Sequence, residues 1–273
     1  MLESFLVTSR ETLEASLVIG IVLAYLNKTD NQNYKKTVYY GIFFGIIASI
    51  LAAFMFTIFS DDFEGKAEQI FEGTTMIIGA FLLTTMILWM MQQRHIAKEI
   101  EGKVGKHLMN VQPLFSHLGI FMLIFIAIVR EGTETVIFLN ALNYASGLSF
   151  IGGTLGIIAA VAVGYLFFVS TSKINLKKLF NVSSILLILF AAGLVAHGIH
   201  EFEEAKVVNG IIAPLYNINS IVNENGLAGS FLKGMFGYNG NPSLLEVMFY
   251  VSYLAVIYFL YRRIESSKVK ASA

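Results

Sequence analysis

The sequence contains no cysteine, which excludes disulfides, thiolate metal centres and thiol nucleophiles. It is also poor in charge. Asp, Glu, Lys and Arg make up 14% of the 273 residues, against about a quarter in soluble domains. The 19 basic and 19 acidic residues balance, so no basic excess points to a nucleic-acid partner. Neither G-x-S-x-G nor HExxH occurs, which leaves an intramembrane hydrolase without its usual signatures. The start MLESFLVTSR lacks a basic n-region and a small-residue cleavage site. The first apolar run is therefore expected to be a retained helix, not a signal peptide.

What is abundant is apolar side chain, 56% of the chain. Apolar runs near residues 2–26, 37–59, 70–91, 114–142, 148–170, 179–199 and 244–261 are each about long enough to cross roughly 30 Å of hydrocarbon. The expected fold is all-α: one polytopic bundle of seven transmembrane helices in a cell membrane. Lys28, Lys35 and Lys36 follow the first run, and Arg94, Lys98, Lys103 and Lys106 the third. Lys173, Lys177 and Lys178 follow the fifth, and Arg262, Arg263, Lys268 and Lys270 the seventh. The alternate loops are acidic or nearly uncharged: DDFEGKAE, NYASG and HEFEEAK. The positive-inside rule then places the N-terminus outside and the C-terminus in the cytosol.

Against this apolar background two charged pentads stand out, RETLE at Arg10–Glu14 and REGTE at Arg130–Glu134. They fall in the first and fourth runs. That position suggests a three-helix unit repeated with inverted topology: repeat one about 1–112, repeat two about 113–205, an outer loop 206–243 and a seventh helix 244–262. Gly41/Gly45 and Gly152/Gly156 have the small-residue spacing that lets membrane helices approach closely.

On a helix, Glu11 and Glu14 share a face, as do Glu131 and Glu134, and Arg10 and Arg130 each sit four residues before a Glu. Each such charge costs roughly 2.5–3.5 kcal/mol near a helix centre. Ion pairs gluing two helices together would account for two Arg and two Glu, but four acids accompany two Arg. The acid surplus points to a cation bound between Glu11, Glu14, Glu131 and Glu134, with Arg10 and Arg130 balancing charge when it is absent. Oxygen-only ligands suit ferric iron, manganese, magnesium or calcium over copper(I).

A third cluster, AHGIHEFEEA, puts His197, His200, Glu201 and Glu204 on one helical face at the outer end of the sixth run. Imidazole beside carboxylate suits iron, manganese or zinc, although acids at a helix end are ordinarily just solvated. Glu72 opens the third run behind an acidic loop and is expected on the ion's path. The Met-rich MILWMMQQR reads as packing and interfacial anchoring. His95, His107 and His117 are isolated and not expected to be ligands.

With RETLE and REGTE in the first and fourth spans, the chain resembles the oxidase-dependent iron transporter family, which includes fungal high-affinity iron permeases and bacterial Efe-type iron permeases. FEGTTMIIGAFLLTTMILWMMQQR, HGIHEFEEA and GYNGNPSLLEVMFY extend the resemblance. It implies a seven-helix bundle importing iron as substrate, with no cofactor and no enzyme activity. Arg10, Glu11, Glu14, Arg130, Glu131 and Glu134 match the motif positions that carry iron. Thr133 replaces the family's Leu and Thr12 its frequent Gly. The resemblance also implies a separate iron-oxidising or iron-delivering protein outside the cell. The alternatives are transport of another metal such as manganese or lead and, more remotely, of an organic cation.

Overall fold

The computed structural model describes residues 1–61, 63–92, 96–108, 113–169, 176–224, 226, 229, 232–233 and 236–272. No strand occurs among them. The α-helices are α1 (Leu2–Lys28), α2 (Lys35–Asp61), α3 (Lys66–Gln92), α4 (Ile96–Leu108), α5 (Pro113–Ser146), α6 (Phe150–Val169), α7 (Leu176–Glu204) and α8 (Leu244–Ser272). A helix lies over each of the seven apolar runs. Gln32–Ser60, Lys66–Leu88, Ser183–Glu204 and Leu244–Ile264 are long and apolar enough to cross a membrane. α4 is an unforeseen addition, a short helix in the basic stretch after α3. Arg94, His95 and Lys173 lie outside the described residues, as do the side chains of Lys98, Lys177, Lys178, Lys268 and Lys270.

Helix ends follow local chemistry. α5 stops at Gly147, whose φ of +87° suits a residue without Cβ; its N–H reaches back to the Leu142 and Asn143 carbonyls at 3.2 and 3.1 Å. α8 starts on a capping box. Glu246 N donates to Ser243 Oγ at 3.1 Å and Ser243 N to Glu246 Oε1 at 3.0 Å.

Packing separates an inner from an outer set of helices. α2 exposes Tyr40, Phe43, Ile50 and Phe54, and α6 exposes Phe150, Ile151, Ile158 and Tyr165. Such apolar surfaces are what hydrocarbon would cover. α3, α5 and α7 instead build a dry core from Met76, Ala80, Leu83, Phe138, Ala141, Leu142, Leu187 and Leu194, joined by Val7 of α1.

The two pentad helices sit in matching surroundings. α1 packs along α6, and α5 along α2. Gly41 and Gly45 of α2 abut the Phe121 and Phe125 carbonyls, Ile124 and Ile128. Gly152 and Gly156 of α6 abut the Met1 and Phe5 carbonyls and Thr8. With Arg10 laid on Arg130, Met1 falls on Phe121, Phe5 on Phe125 and Thr8 on Ile128, so the two glycine pairs meet the same register. A Cβ on Gly45 would come within 2.7 Å of the Ile128 Cβ, too close for any larger residue without displacement.

Candidate metal site

α1 and α5 touch, and the contact joins the pentads. Carboxylate oxygens of Glu11, Glu131 and Glu134 all lie within 4.8 Å of one another. Burial is severe: Glu11 is 1% exposed, Arg10 2%, Glu131 3% and Glu14 7%. Arg10 Nε lies 3.3 Å from Glu14 Oε1. Arg130 reaches the adjacent Glu131 Oε1 through both Nε, at 3.0 Å, and Nη2, while its Nε stands 3.7 Å from Glu134 Oε1.

The pairing leaves acid over. Both Glu11 oxygens and Glu131 Oε2 are buried and accept no hydrogen bond. Buried carboxylate oxygens of this kind are expensive to leave unsatisfied. Two buried acids from different helices, aimed at one point beside a third, make a donor set that a multivalent cation would satisfy. Two threonines of α5 bond to their own helix instead: Thr133 Oγ1 donates to the Arg130 carbonyl at 2.9 Å and Thr135 Oγ1 to that of Glu131 at 2.7 Å.

Beside the triad a cavity of about 400 Å³ is lined by Glu14, Arg130 and Glu134, and on its other wall by Leu82, Thr85 and Met86 of α3. The α3 wall was not legible in a helix that is apolar on all sides.

The acidic and histidine residues at the start of α3 and the end of α7 separate into two groups. Glu72 is half-buried at the start of α3, within electrostatic reach of Glu201, Glu68 and Glu204. Gln69 Nε2 donates to Glu204 Oε2 at 3.0 Å, tying the start of α3 to the end of α7. His200 places a carboxylate at each ring nitrogen: Glu246 Oε1 3.1 Å from Nδ1 and Glu204 Oε1 3.3 Å from Nε2. His200, Glu203 and Glu246 bring ligand atoms within 4.8 Å of one another. Ser243 Oγ donates to Glu203 Oε2 at 2.5 Å and Asn239 Nδ2 to Glu246 Oε2 at 2.8 Å. His197 belongs to neither group; its Nδ1 bonds the Gly193 carbonyl of its own helix at 3.1 Å. Glu246 escaped the sequence reading, although Ser243-Leu244-Leu245-Glu246 carries the S-x-x-E spacing of a helix start.

No solved structure matches the chain. Its sequence is similar to the ferrous iron permease EfeU of Yersinia pestis, 29% identical across 100% of this chain and 98% of that protein. The EfeU of Yersinia pseudotuberculosis serotype I is 29% identical over 98% of this chain and 96% of its own length. That of Escherichia coli O6:K15:H31 is 28% identical over 93% and 92%. The profile of the iron permease FTR1 family spans residues 1–265. With that span covered, the chain belongs to the iron permease FTR1 family.

Proposed function

We propose that this membrane protein imports iron, and that the ion crosses the bilayer through the site where α1 meets α5. The observation that carries the reading is the convergence of Glu11, Glu131 and Glu134 within 4.8 Å, two of them buried beyond reach of water. The names of the EfeU relatives favour ferrous iron; the oxygen-rich donor set by itself also suits manganese.

In this reading α1, α2, α3, α5, α6, α7 and α8 each cross the membrane, N-terminus outside and C-terminus in the cytosol, and α4 lies on the cytosolic side. The matched glycine registers of α2 on α5 and of α6 on α1 support an inverted repeat. Glu72, Glu201 and Glu204 gather cations at the outer face by charge alone. His200, Glu203 and Glu246 lie beside them as a second station.

Transport then has a physical order. Met76 lies one turn beyond Glu72 on α3, and Phe138 one turn beyond Glu134 on α5. With Leu194 these fully buried side chains form a dry layer between outer acids and pentads. The cavity at Glu14, Arg130 and Glu134 lies below that layer, toward the Thr85–Met86 end of α3. The described conformation is therefore closed outward. Iron arriving among the acids replaces the Arg10 and Arg130 guanidinium groups as the neutralising charge. That exchange favours one packing of the repeats over the other. Release inward returns each Arg to its Glu. An external iron-handling protein would deliver at the outer acids.

To test the site, Glu14→Ala and Glu134→Ala are reconstituted in liposomes and iron influx is followed. Both are expected to lose most of it. Wild-type rates in both would remove these residues from the route.

A further inference from the structure

Four carboxylates make a strong cation site but a poor discriminator. All-oxygen donors suit calcium and magnesium as well as iron. An iron permease built from them alone would be blocked by those commoner ions. A softer donor raises the preference for a transition metal over calcium and magnesium.

The α3 wall of the pentad cavity carries one. Of its three lining residues there, Leu82 has no donor atom. Thr85 supplies a hard hydroxyl that already donates to the Leu82 carbonyl at 2.9 Å. Met86 supplies a thioether. Its side chain is partly buried and rests against the core that includes Leu83 and Ile87, which confines it on the side facing Glu14, Arg130 and Glu134. At about 400 Å³ the cavity has room for an ion and several waters, each taking roughly 30 Å³. The chain has ten methionines and no cysteine, so a metal–sulfur contact anywhere in it is a thioether contact.

We infer that Met86 is the specificity-determining residue of the pentad cavity, its sulfur biasing the carboxylate site toward iron over calcium and magnesium. The inference rests on the permease reading above and adds a ligand to it. Met86 opens the MILWMMQQR run, whose other described role, packing, it also fills.

The test uses the full chain. In proteoliposomes, iron(II) influx is measured against rising calcium for wild type and Met86→Leu. The variant keeps volume and apolarity and loses only the sulfur. With iron offered alone it is expected to need more iron for half-maximal influx, and the calcium needed to halve that influx falls roughly tenfold. In parallel, X-ray absorption on the purified protein loaded with cadmium, a soft probe ion, is expected to show a sulfur neighbour in wild type and none in Met86→Leu. Unchanged calcium competition in a Met86→Leu protein that transports iron overturns the inference. So does a wild-type spectrum with only oxygen and nitrogen neighbours, a result that needs no variant to fold. Wild-type vesicles that take up no iron sink the permease reading first, and this ligand with it.

Discussion

Arg10 and Arg130 occupy the same place in the same motif, yet the structure treats them differently. The Arg10 side chain is 1% exposed and ion-paired forward with Glu14; that of Arg130 is 52% exposed and bends to its neighbour Glu131 and to Glu134. The consequence lies in the acids: Glu11 keeps both oxygens unbonded, whereas Glu131 keeps one. Pentads with the same three charges in matched helical surroundings thus hold unequal states. The proposed transport cycle would have its two halves differ in this way, the site shut on one side and open on the other. Arg130 lines the cavity and Arg10 does not.

The largest expected effect of that asymmetry is on stability. Arg10→Gln removes a buried partner and leaves Glu14 uncompensated, a loss of about 3–5 kcal/mol. Arg130→Gln also deprives the buried Glu131 of its donor, but the guanidinium is half-exposed and water replaces part of the contact, so the loss should be smaller, about 1–3 kcal/mol. Thermal unfolding of the two variants in detergent compares them; equal losses would mean the burial difference does not hold in the folded protein.

Next come the glycine registers, where the halves are expected to agree. Gly45→Ala and Gly156→Ala each force a methyl into a helix crossing, and overpacking of this kind costs about 1–3 kcal/mol. Similar falls in unfolding temperature and in iron influx support the repeat. A severe effect at one site and none at the other would break the equivalence.

The smallest effect separates Thr8 from its counterpart Ile128. Thr8 Oγ1 lies 2.8 Å from the Ser4 carbonyl and 2.9 Å from that of Gly153 on α6, a link Ile128 cannot make. Thr8→Val keeps the shape and loses about 1 kcal/mol, visible as a slight drop in unfolding temperature with influx retained. A loss of influx would make the α1–α6 bond part of the moving machinery.

Much of this was legible in the letters. Long apolar runs announce their helices because a charged pentad is too short to interrupt them, and two acids three apart must share a helix face. The joining of α1 to α5 was expected from the cost of leaving charged pentads facing hydrocarbon. α4 was missed because its lysines read as loop, although Ile96, Ile100 and Val104 recur every four residues and Val104 is fully buried. The α3 wall was hidden for the opposite reason: a helix apolar all round declares no face. His197 and His200 share a helical spacing, but only His200 hydrogen-bonds or pairs with carboxylates, while His197 bonds its own helix, a difference no spacing encodes.

The central claim is that Glu11 of one pentad and Glu131 of the other hold the same ion. Iron binding to Glu11→Gln, Glu131→Gln and the double variant in nanodiscs tests it directly. One shared site predicts strong coupling, with the double variant binding scarcely more weakly than either single one. Losses that simply add would mean two independent acids and no common cage, contradicting the account.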